Sequence, residues 1–291
     1  MNHDFLMEKK LREADPDLHQ RFSNAVFALQ NTLSGYRRLF PEYTDHSQLH
    51  SMTVIDFCNQ IIGQDQIDKL NADELYILLM SCYLHDVGMG ISEQDYQLFS
   101  QDMGADAYFA AHPSACISDF VRTYHNEFSG KFIGKYWEFL DIPSPEHCFC
   151  IIQVSRGHRK TNLMDEVEYP TDFLLPNGNR VCLPWLAALI RLADEIDATA
   201  ARNCALLGDI ALPTTESQLF HNRILAAAKN LTVTDDCFIL DVEVESGDNR
   251  LYAAIEETVR KMQDTLDLCC KVVHTRTSSR IYQEKILLRW I

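Results

Sequence analysis

The sequence predicts a mainly α-helical protein that ends in a small α+β appendage. Apolar residues recur at helical spacing through most of the first 205 residues, as in the buried run at residues 74–83. After about residue 206 the pattern changes to short strand-like stretches and one long helix. The 291 residues suffice for one large domain with a smaller one. We therefore predict a helical domain at residues 1–205 and an α+β domain at residues 206–291.

Composition is that of an ordinary globular protein, with 46% hydrophobic and 23% charged residues. No apolar run reaches membrane-spanning length and the first ten residues are charged, so we expect no membrane partner. The ten cysteines form no CxxC pair, which predicts reduced core residues in a cytoplasmic protein. A net charge of −16 argues against nucleic acid as the main partner. An anionic substrate therefore needs local positive charge.

Two helices are predicted before residue 63, and the second contains a pair of histidines. An apolar stripe at residues 18–33 predicts a packing helix. A second helix is predicted at residues 45–62, with Gly63 as its stop. His46 and His50 are four residues apart in it and so share a face. Two histidines that only pack in their helix are the alternative interpretation.

An imidazole and a carboxylate, His85 and Asp86, stand side by side at the end of the apolar helix 74–83. Burying both groups is costly unless something compensates them, and a metal ion does so. Neighbouring helical residues point about 100° apart, so the two side chains either hold one ion from two sides or contact two ions. The alternative is a solvated pair that precedes a helix stop at Gly88.

His112 precedes Pro113, which suits the first turn of a helix whose buried face is predicted within residues 117–124. A histidine at a helix N-terminus is not stabilised as a cation there, so a neutral ligand is one interpretation. A plain loop histidine is the other. The aromatic-rich segment at residues 128–142 is predicted to belong to the core.

A basic run surrounds His158 in a chain that is otherwise acidic. Its cations are Arg156, Arg159 and Lys160. Because the run closes an apolar helix and flanks a candidate ligand, it suits the holding of a phosphate group. The alternative is a solvated helix end. Residues 161–182 then show little periodicity and predict a long connection.

A strongly apolar helix that begins at Pro184 is interrupted by carboxylates. Asp194 lies four residues after Ile190, on the buried side, where a carboxylate needs a partner such as a metal. Asp194 and Asp197 are three residues apart and share a face. These positions make Asp194 a candidate ligand.

The appendage carries no clear catalytic set. Residues 231–244 predict a β-hairpin, residues 251–273 a long helix, and residues 281–291 a final strand or short helix. Regulation, contact between copies of the chain in a homo-oligomer, and connection to another domain all stay open as its role.

Taken in order, His50, the doublet His85-Asp86 and Asp194 resemble the HD superfamily of metal-dependent phosphohydrolases, whose signature is H…HD…D. The local contexts HSMTV, LHDVG and RLADEID match too, and the resemblance covers about residues 40–205. The chain as a whole looks more like bacterial HD proteins than eukaryotic phosphodiesterases. The resemblance implies an all-helical bundle with metal at its centre. It assigns these four side chains to one ion.

For a second ion, the resemblance implies two intervening histidines, which we assign to His112 and His158, with Asp86 as the bridge. Asp197 is then expected to orient a ligand or a water. One or two divalent ions are implied, and the His-rich set favours Mn²⁺, Fe²⁺, Co²⁺, Ni²⁺ or Zn²⁺ over Mg²⁺.

The segment around His46 is similar in part to cyclic-nucleotide phosphodiesterases. In that family a histidine four residues before the first ligand histidine protonates the leaving oxygen, and His46 stands four before His50. Asp45 and Ser47 replace that family's neighbours, so the match is partial. His46 is therefore predicted to be catalytic.

The leading hypothesis is hydrolysis of a phosphoester of a small anionic substrate, with a nucleotide expected, by a metal-activated water. Asp86 and His46 would be catalytic, and the basic run around His158 would hold the anion. Two alternatives stay open. One is a di-iron oxygenase with six ligands in the order H…HD…H…H…D, and the other is a nucleotide-sensing module without turnover.

Overall fold

The computed structural model describes residues 5–40, 46–199, 216–245 and 247–291. Helices dominate the described residues, with one two-stranded and one three-stranded sheet, which confirms the predicted fold class. The predicted domain boundary, between residues 205 and 206, lies outside the described residues and stays a prediction.

The N-terminal helices form a bundle. In chain order they are α1 (Leu6–Ala14), α2 (Pro16–Leu33), α3 (Gln48–Ile62), α4 (Gln64–Ile67), α5 (Ala72–Leu84), α6 (Glu93–Ser100), α7 (Ala105–Ala111), α8 (Ile117–Tyr136), α9 (Pro145–Arg156) and α10 (Leu183–Ile196). Short 3₁₀ turns follow α2 at Ser34–Arg38 and α5 at Val87–Gly90. The predicted long connection between α9 and α10 carries only a small antiparallel hairpin, β1 (Phe173–Leu174) with β2 (Arg180–Val181).

The C-terminal appendage combines a sheet with a long helix. Its elements are α11 (Glu216–Ala227), β3 (Ala228–Val233), β4 (Cys237–Val242), α12 (Asn249–Arg276) and β5 (Lys285–Trp290). β3 and β4 form an antiparallel hairpin with Leu231 opposite Leu240, and β5 adds in parallel to β4 with Ile286 opposite Phe238. The hairpin, long helix and final strand predicted from the sequence are confirmed.

Helix α5 is the central element of the bundle. Its first turn has a capping box, in which Asn71 Oδ1 accepts from the Glu74 N–H at 3.0 Å and Glu74 Oε2 accepts from the Asn71 N–H at 3.2 Å. Each residue from Asp73 to Leu84 is buried, as befits a helix that is apolar on all sides. It packs against α1, α2, α3, α9 and α10. The doublet at its end therefore lies in the centre of the bundle.

Helix α8 crosses the turn after α5 at very close range. A Cβ on Gly88 would lie 2.2 Å from the carbonyl oxygen of His125 and 2.7 Å from the nitrogen of Ser129, so this crossing requires glycine. Ser129 Oγ donates to the carbonyl of His85 at 2.6 Å and accepts from the Gly88 N–H at 2.9 Å. These bonds fix α8 against the doublet.

The appendage packs directly on the bundle through α12, which lies along α10. Trp185 and Ile190 of α10 belong to the same buried apolar cluster as Leu266 and Val273 of α12. The helix that carries Asp194 is therefore supported from behind by the appendage.

Within the described residues, no single helix is long and apolar enough to cross a membrane. A bent pair, Ala72–Gly90 with Glu93–Ser100, meets the length and composition requirement only jointly, across an angle of 91°. The nine cysteines in these residues are all free and six are buried, in keeping with the predicted reduced core residues.

Candidate metal centre

Four side chains from three helices converge at the centre of the bundle. They are His50 from α3, His85 and Asp86 from the end of α5, and Asp194 from α10. His50 Nε2 lies 3.1 Å from His85 Nε2, 3.4 Å from Asp86 Oδ2 and 3.2 Å from Asp194 Oδ1. We call these four residues the first ligand group. The structure thus brings together the set that the H…HD…D pattern predicted.

A second ligand group shares Asp86 and adds His125 of α8 and His158, which follows α9. His125 Nε2 lies 3.0 Å from His158 Nε2. Asp86 Oδ1 lies 3.3 Å from His125 Nε2 and 3.6 Å from His158 Nε2, while its Oδ2 faces the first group. One carboxylate therefore presents one oxygen to each group, in the arrangement of the predicted bridge.

The hydrogen bonds of the four histidines define which ring nitrogen carries the proton. In each ring Nδ1 lies next to an oxygen that can only accept. The bonds run from His85 to Cys82 O (2.9 Å), from His125 to Arg122 O (2.8 Å), from His158 to Ser155 O (2.5 Å) and from His50 to Asp197 Oδ2 (2.7 Å). Nδ1 must therefore be the donor, which leaves a lone pair on Nε2 of each neutral ring.

Lone pairs that face one another across 3.0 and 3.1 Å repel unless a cation lies between them. A metal ion with bonds of about 2.1 Å brings neighbouring ligand atoms to about 3.0–3.5 Å from one another, close to the separations in both groups. Imidazole and carboxylate donors together suit divalent transition metals. The residues present therefore fit one ion in each group.

The protonation states also suit ligation. Burial lowers the pKa of His125 to about 4 and lowers that of His158 well below its ordinary value. Burial acts to raise the pKa of Asp86 and Asp194, but the hydrogen bonds and charges of the surrounding histidines outweigh it, and both pKa values lie below their usual range. At neutral pH His125 and His158 are therefore neutral and Asp86 and Asp194 ionised, which is the state of these groups that binds metal.

His46 stands at the cluster but not on the predicted helix. The side chain of Ser47 caps α3, so the helix begins after His46, and the expectation that His46 and His50 share a helical face is wrong. Asp45, with which that helix was predicted to begin, lies outside the described residues. His46 Nδ1 nevertheless lies 2.6 Å from Asp86 Oδ2. The ring therefore donates to the shared carboxylate of both groups.

Asp197 lies at the C-terminal end of α10 with 1% of its side chain exposed. Its Oδ2 accepts from His50 Nδ1 at 2.7 Å. A carboxylate in this position fixes the tautomer of a ligand histidine and increases its basicity. The geometry supports the predicted orienting role, which stays a prediction.

His112, one of the two histidines predicted for a second ion, does not reach the cluster. It ends α7 as an exposed residue, where its ring stacks on Tyr108 at 4.5 Å and its Nδ1 bonds the Tyr108 carbonyl at 2.9 Å. Helix α8 begins at Ile117 rather than at Pro113, so His112 is not at its N-terminus. The assignment of His112 to the second ion is therefore replaced by His125.

The sequence did contain a signal for His125. It lies four residues after Val121 and three before Phe128, both buried, so it occupies the apolar face of α8 where a polar side chain needs a partner. Tyr124 interrupts the helix with φ −119° and ψ 19°, directly before His125. This kink, which the sequence pattern did not predict, lies where α8 meets the cluster.

The three cations of the basic run have different surroundings. Arg156 donates to Glu127 at 2.9 and 3.0 Å and to Glu168 at 2.5 Å, so two carboxylates already neutralise it. The predicted phosphate-holding role of Arg156 is therefore a poor fit to the structure. Arg159 and Lys160 instead line an open groove of about 530 Å³. Their predicted role in substrate binding stays a prediction.

A buried cation that the sequence did not single out holds this turn in place. Arg191 of α10 donates through Nε to the Gly157 carbonyl at 2.7 Å and through Nη2 to the Thr161 carbonyl at 2.9 Å. A Cβ on Gly157 would lie 2.6 Å from Ala187 Cβ, so glycine at this position allows the turn to pack directly against α10. The same helix thus carries Asp194 and anchors His158.

The bundle and its cluster of histidines and aspartates define an HD-type domain with a candidate metal site. The chain belongs to the HD-CE family, whose family model matches residues 40–268. The match covers both ligand groups and continues into α12. Neither the comparison with curated proteins nor the comparison with solved structures gave a match. The family match gives no support to the partial similarity to cyclic-nucleotide phosphodiesterases around His46.

Proposed function

We propose that the protein is a metal-dependent phosphohydrolase that cleaves a phosphoester, with a nucleotide as the expected substrate. The observation that supports this is the sharing of Asp86 by two groups of inward-facing donors. Metal ions bound there would lower the pKa of a bound water and polarise the phosphoryl oxygens. The groups would also hold the two oxygens of a phosphoryl transfer in fixed positions.

The two ligand groups differ in how many coordination positions of their ion they leave open. His50, His85, Asp86 and Asp194 offer four donors to the first ion, whereas the second group offers only three, with Asp86 counted in both. A site with fewer protein donors keeps more positions for a water or a substrate oxygen. We therefore assign the attacking water to the side of the second group. The donor set favours a transition metal over Mg²⁺.

His46 is proposed to give a proton to the leaving oxygen. Its Nδ1 lies 2.6 Å from Asp86 Oδ2, and this carboxylate would stabilise the protonated ring that a general acid requires. The side chain is 15% exposed, more than any of the four histidines of the two groups. It is thus the imidazole of the cluster that a substrate entering from solvent reaches most directly.

A metal-by-nucleotide activity screen tests this proposal. The full chain is stripped of metal, reloaded with Mn²⁺, Fe²⁺, Co²⁺, Ni²⁺, Zn²⁺ or Mg²⁺, and assayed separately for phosphate, pyrophosphate and ring-opened product. Asp194→Asn serves as the loss-of-site variant and the exposed Asp102→Asn as its charge-matched control. Metal-dependent release in the wild type and the control but not in Asp194→Asn supports the proposal. Absence of release with every metal contradicts it.

A di-iron oxygenase is the second candidate because the six residues follow the order H…HD…H…H…D. Anaerobic loading with Fe²⁺ followed by exposure to dioxygen separates the two. Two tightly bound iron ions with dioxygen consumption would favour oxidation, and phosphate release without dioxygen consumption would favour hydrolysis. Tight nucleotide binding with no turnover under either condition would favour a sensing module.

A further inference from the structure

A groove of about 530 Å³ opens beside the second ligand group. It is formed by the segment that joins α7 to α8, by the first turns of α8 and by the turn after α9. Its charged lining residues are Asp119, Arg122, Arg159 and Lys160. The groove thus gathers three cations in a chain whose net charge is −16.

The backbone connects this groove to the ligand group. The carbonyl of Arg122 accepts the hydrogen bond from His125 Nδ1 at 2.8 Å, and Arg159 directly follows His158. Two of the groove's cations are therefore borne by the same short segments that position two ligands. If one end of a molecule binds at the second ligand group, its other end can therefore lie in this groove.

Two of the three cations in the groove are not neutralised by an ion pair within the described residues. In the part of the chain that the structure describes, neither Arg159 nor Lys160 forms an ion pair, in contrast to Arg156. Asp119 is the one acidic residue of the lining, and its carboxylate accepts from the N–H of Cys116 at 2.9 Å and from its Sγ at 3.2 Å. These bonds, together with the charge of the neighbouring Arg122, hold the pKa of the Asp119 carboxyl below its usual range. This acid therefore interacts with Cys116 and Arg122 rather than with the other two cations.

The turn that carries Arg159 and Lys160 is also rigid. The guanidinium of Arg191 binds the carbonyls on either side of it, at Gly157 and Thr161. A cation on a backbone fixed in this way loses less conformational freedom when it binds an anion. The buried side chain of Arg191 therefore distinguishes this turn from an ordinary solvated helix end.

We propose that the groove is a subsite for a second phosphate group of the substrate, separate from the phosphoryl group at the metal centre. Arg159 and Lys160 would bind that phosphate. The proposal rests on the proposed function and makes it more specific. The substrate class is a compound that carries phosphate at two positions, such as a nucleotide phosphorylated on both sides of its ribose.

Direct binding tests the groove independently of turnover. Inorganic pyrophosphate is titrated calorimetrically into the full chain, metal-loaded and again after chelation, with circular dichroism as the check of folding. Arg159→Gln/Lys160→Gln removes two exposed charges, and Lys261→Gln/Lys271→Gln on exposed α12 positions is the charge-matched control. We expect the groove variant to bind at least about tenfold more weakly in both states and the control to bind like the wild type.

A pair of substrates tests the same subsite by kinetics. The 4-nitrophenyl ester of thymidine 5′-phosphate is compared with the same ester that carries an additional 3′-phosphate. We expect the 3′-phosphate to lower KM at least about tenfold in the wild type and the control variant but not in the groove variant.

The two proposals fail in different ways. Equal KM values for both esters, or wild-type pyrophosphate binding by the groove variant, would overturn the subsite and leave the hydrolytic function standing. Pyrophosphate binding that depends on Arg159 and Lys160, with no ester cleaved under any metal, would overturn the hydrolytic function and leave the subsite standing.

Discussion

The two ligand groups share one carboxylate but are built in different ways. The first group has two carboxylates and two histidines, and one of its histidines, His50, donates a hydrogen bond to the buried carboxylate of Asp197. The second has Asp86 as its only carboxylate, and main-chain carbonyls hold both of its histidines. More negative charge and more donors predict that the first group binds its ion more tightly. The second group is then the exchangeable and more open one.

The difference also shows how each group is encoded. The residues of the first group lie in short motifs whose spacing in the sequence is recognisable. Those of the second are set by the fold, through the crossing of α8 over Gly88 and the turn that Arg191 holds. A short motif is recognisable in the sequence alone, whereas the crossing of two helices is seen only in the structure.

Loss of Asp86 should produce the largest effect, because it alone serves both groups. We expect Asp86→Ala to remove essentially all bound metal and all activity, as measured by elemental analysis of the purified protein and by the nucleotide screen. Retention of metal near the wild-type content would refute its role as the bridge.

Loss of His125 should separate the two groups. His125→Ala leaves the four donors of the first group intact, so we expect one ion per chain instead of two, together with loss of activity. His112→Ala is the matched control, since His112 is exposed and stacks on Tyr108. It should keep both ions. The correction from His112 to His125 would itself be wrong if His112→Ala lost an ion and His125→Ala did not.

Loss of His46 should reduce rate while the metal remains. General-acid help is worth about 10²–10⁴-fold, so we expect His46→Ala to lose rate in that range with its full metal complement. The loss should be smaller for 4-nitrophenyl phosphate, whose leaving group needs no proton. If metal is lost together with rate, His46 is a ligand. Equal losses for both kinds of leaving group would remove it from the acid role.

Asp197→Asn should have the smallest effect and should act on the first group only. The amide preserves the size of the side chain but no longer draws the proton of His50 Nδ1 with a full negative charge. Loss of such an outer carboxylate lowers metal affinity by about 10–100-fold. A chelator competition should show this weakening for one of the two ions. Equal weakening of both would mean that Asp197 supports the whole cluster rather than its first group.

Much of this architecture could be predicted from the sequence, and the predictions that were wrong have physical causes. The apolar run of α5 and the hairpin at β3 and β4 are local patterns, and the structure confirms them. His112 was assigned because it preceded a proline that was predicted to begin a helix. The cap at Ser47 instead places His46 outside α3, and the cap at Cys116 starts α8 at Ile117, away from His112. Local hydrogen bonds overrode the helical pattern there.

The basic run also shows what the sequence alone does not predict. Arg156, Arg159 and Lys160 are alike in sequence, yet Glu127 and Glu168, which neutralise only the first, come from other segments of the chain. Sequence spacing does not reveal such partners. The availability of a cation is therefore a property of the fold.

Anomalous X-ray diffraction from crystals of the full chain loaded with Mn²⁺ tests the central claim most directly, because it locates each ion rather than counting ions in bulk. The two-group account predicts two peaks about 3.5–4 Å apart, with one oxygen of Asp86 bound to each. One peak should lie among His50, His85 and Asp194, and the other between His125 and His158. A single peak, or two peaks that do not share Asp86, would contradict it.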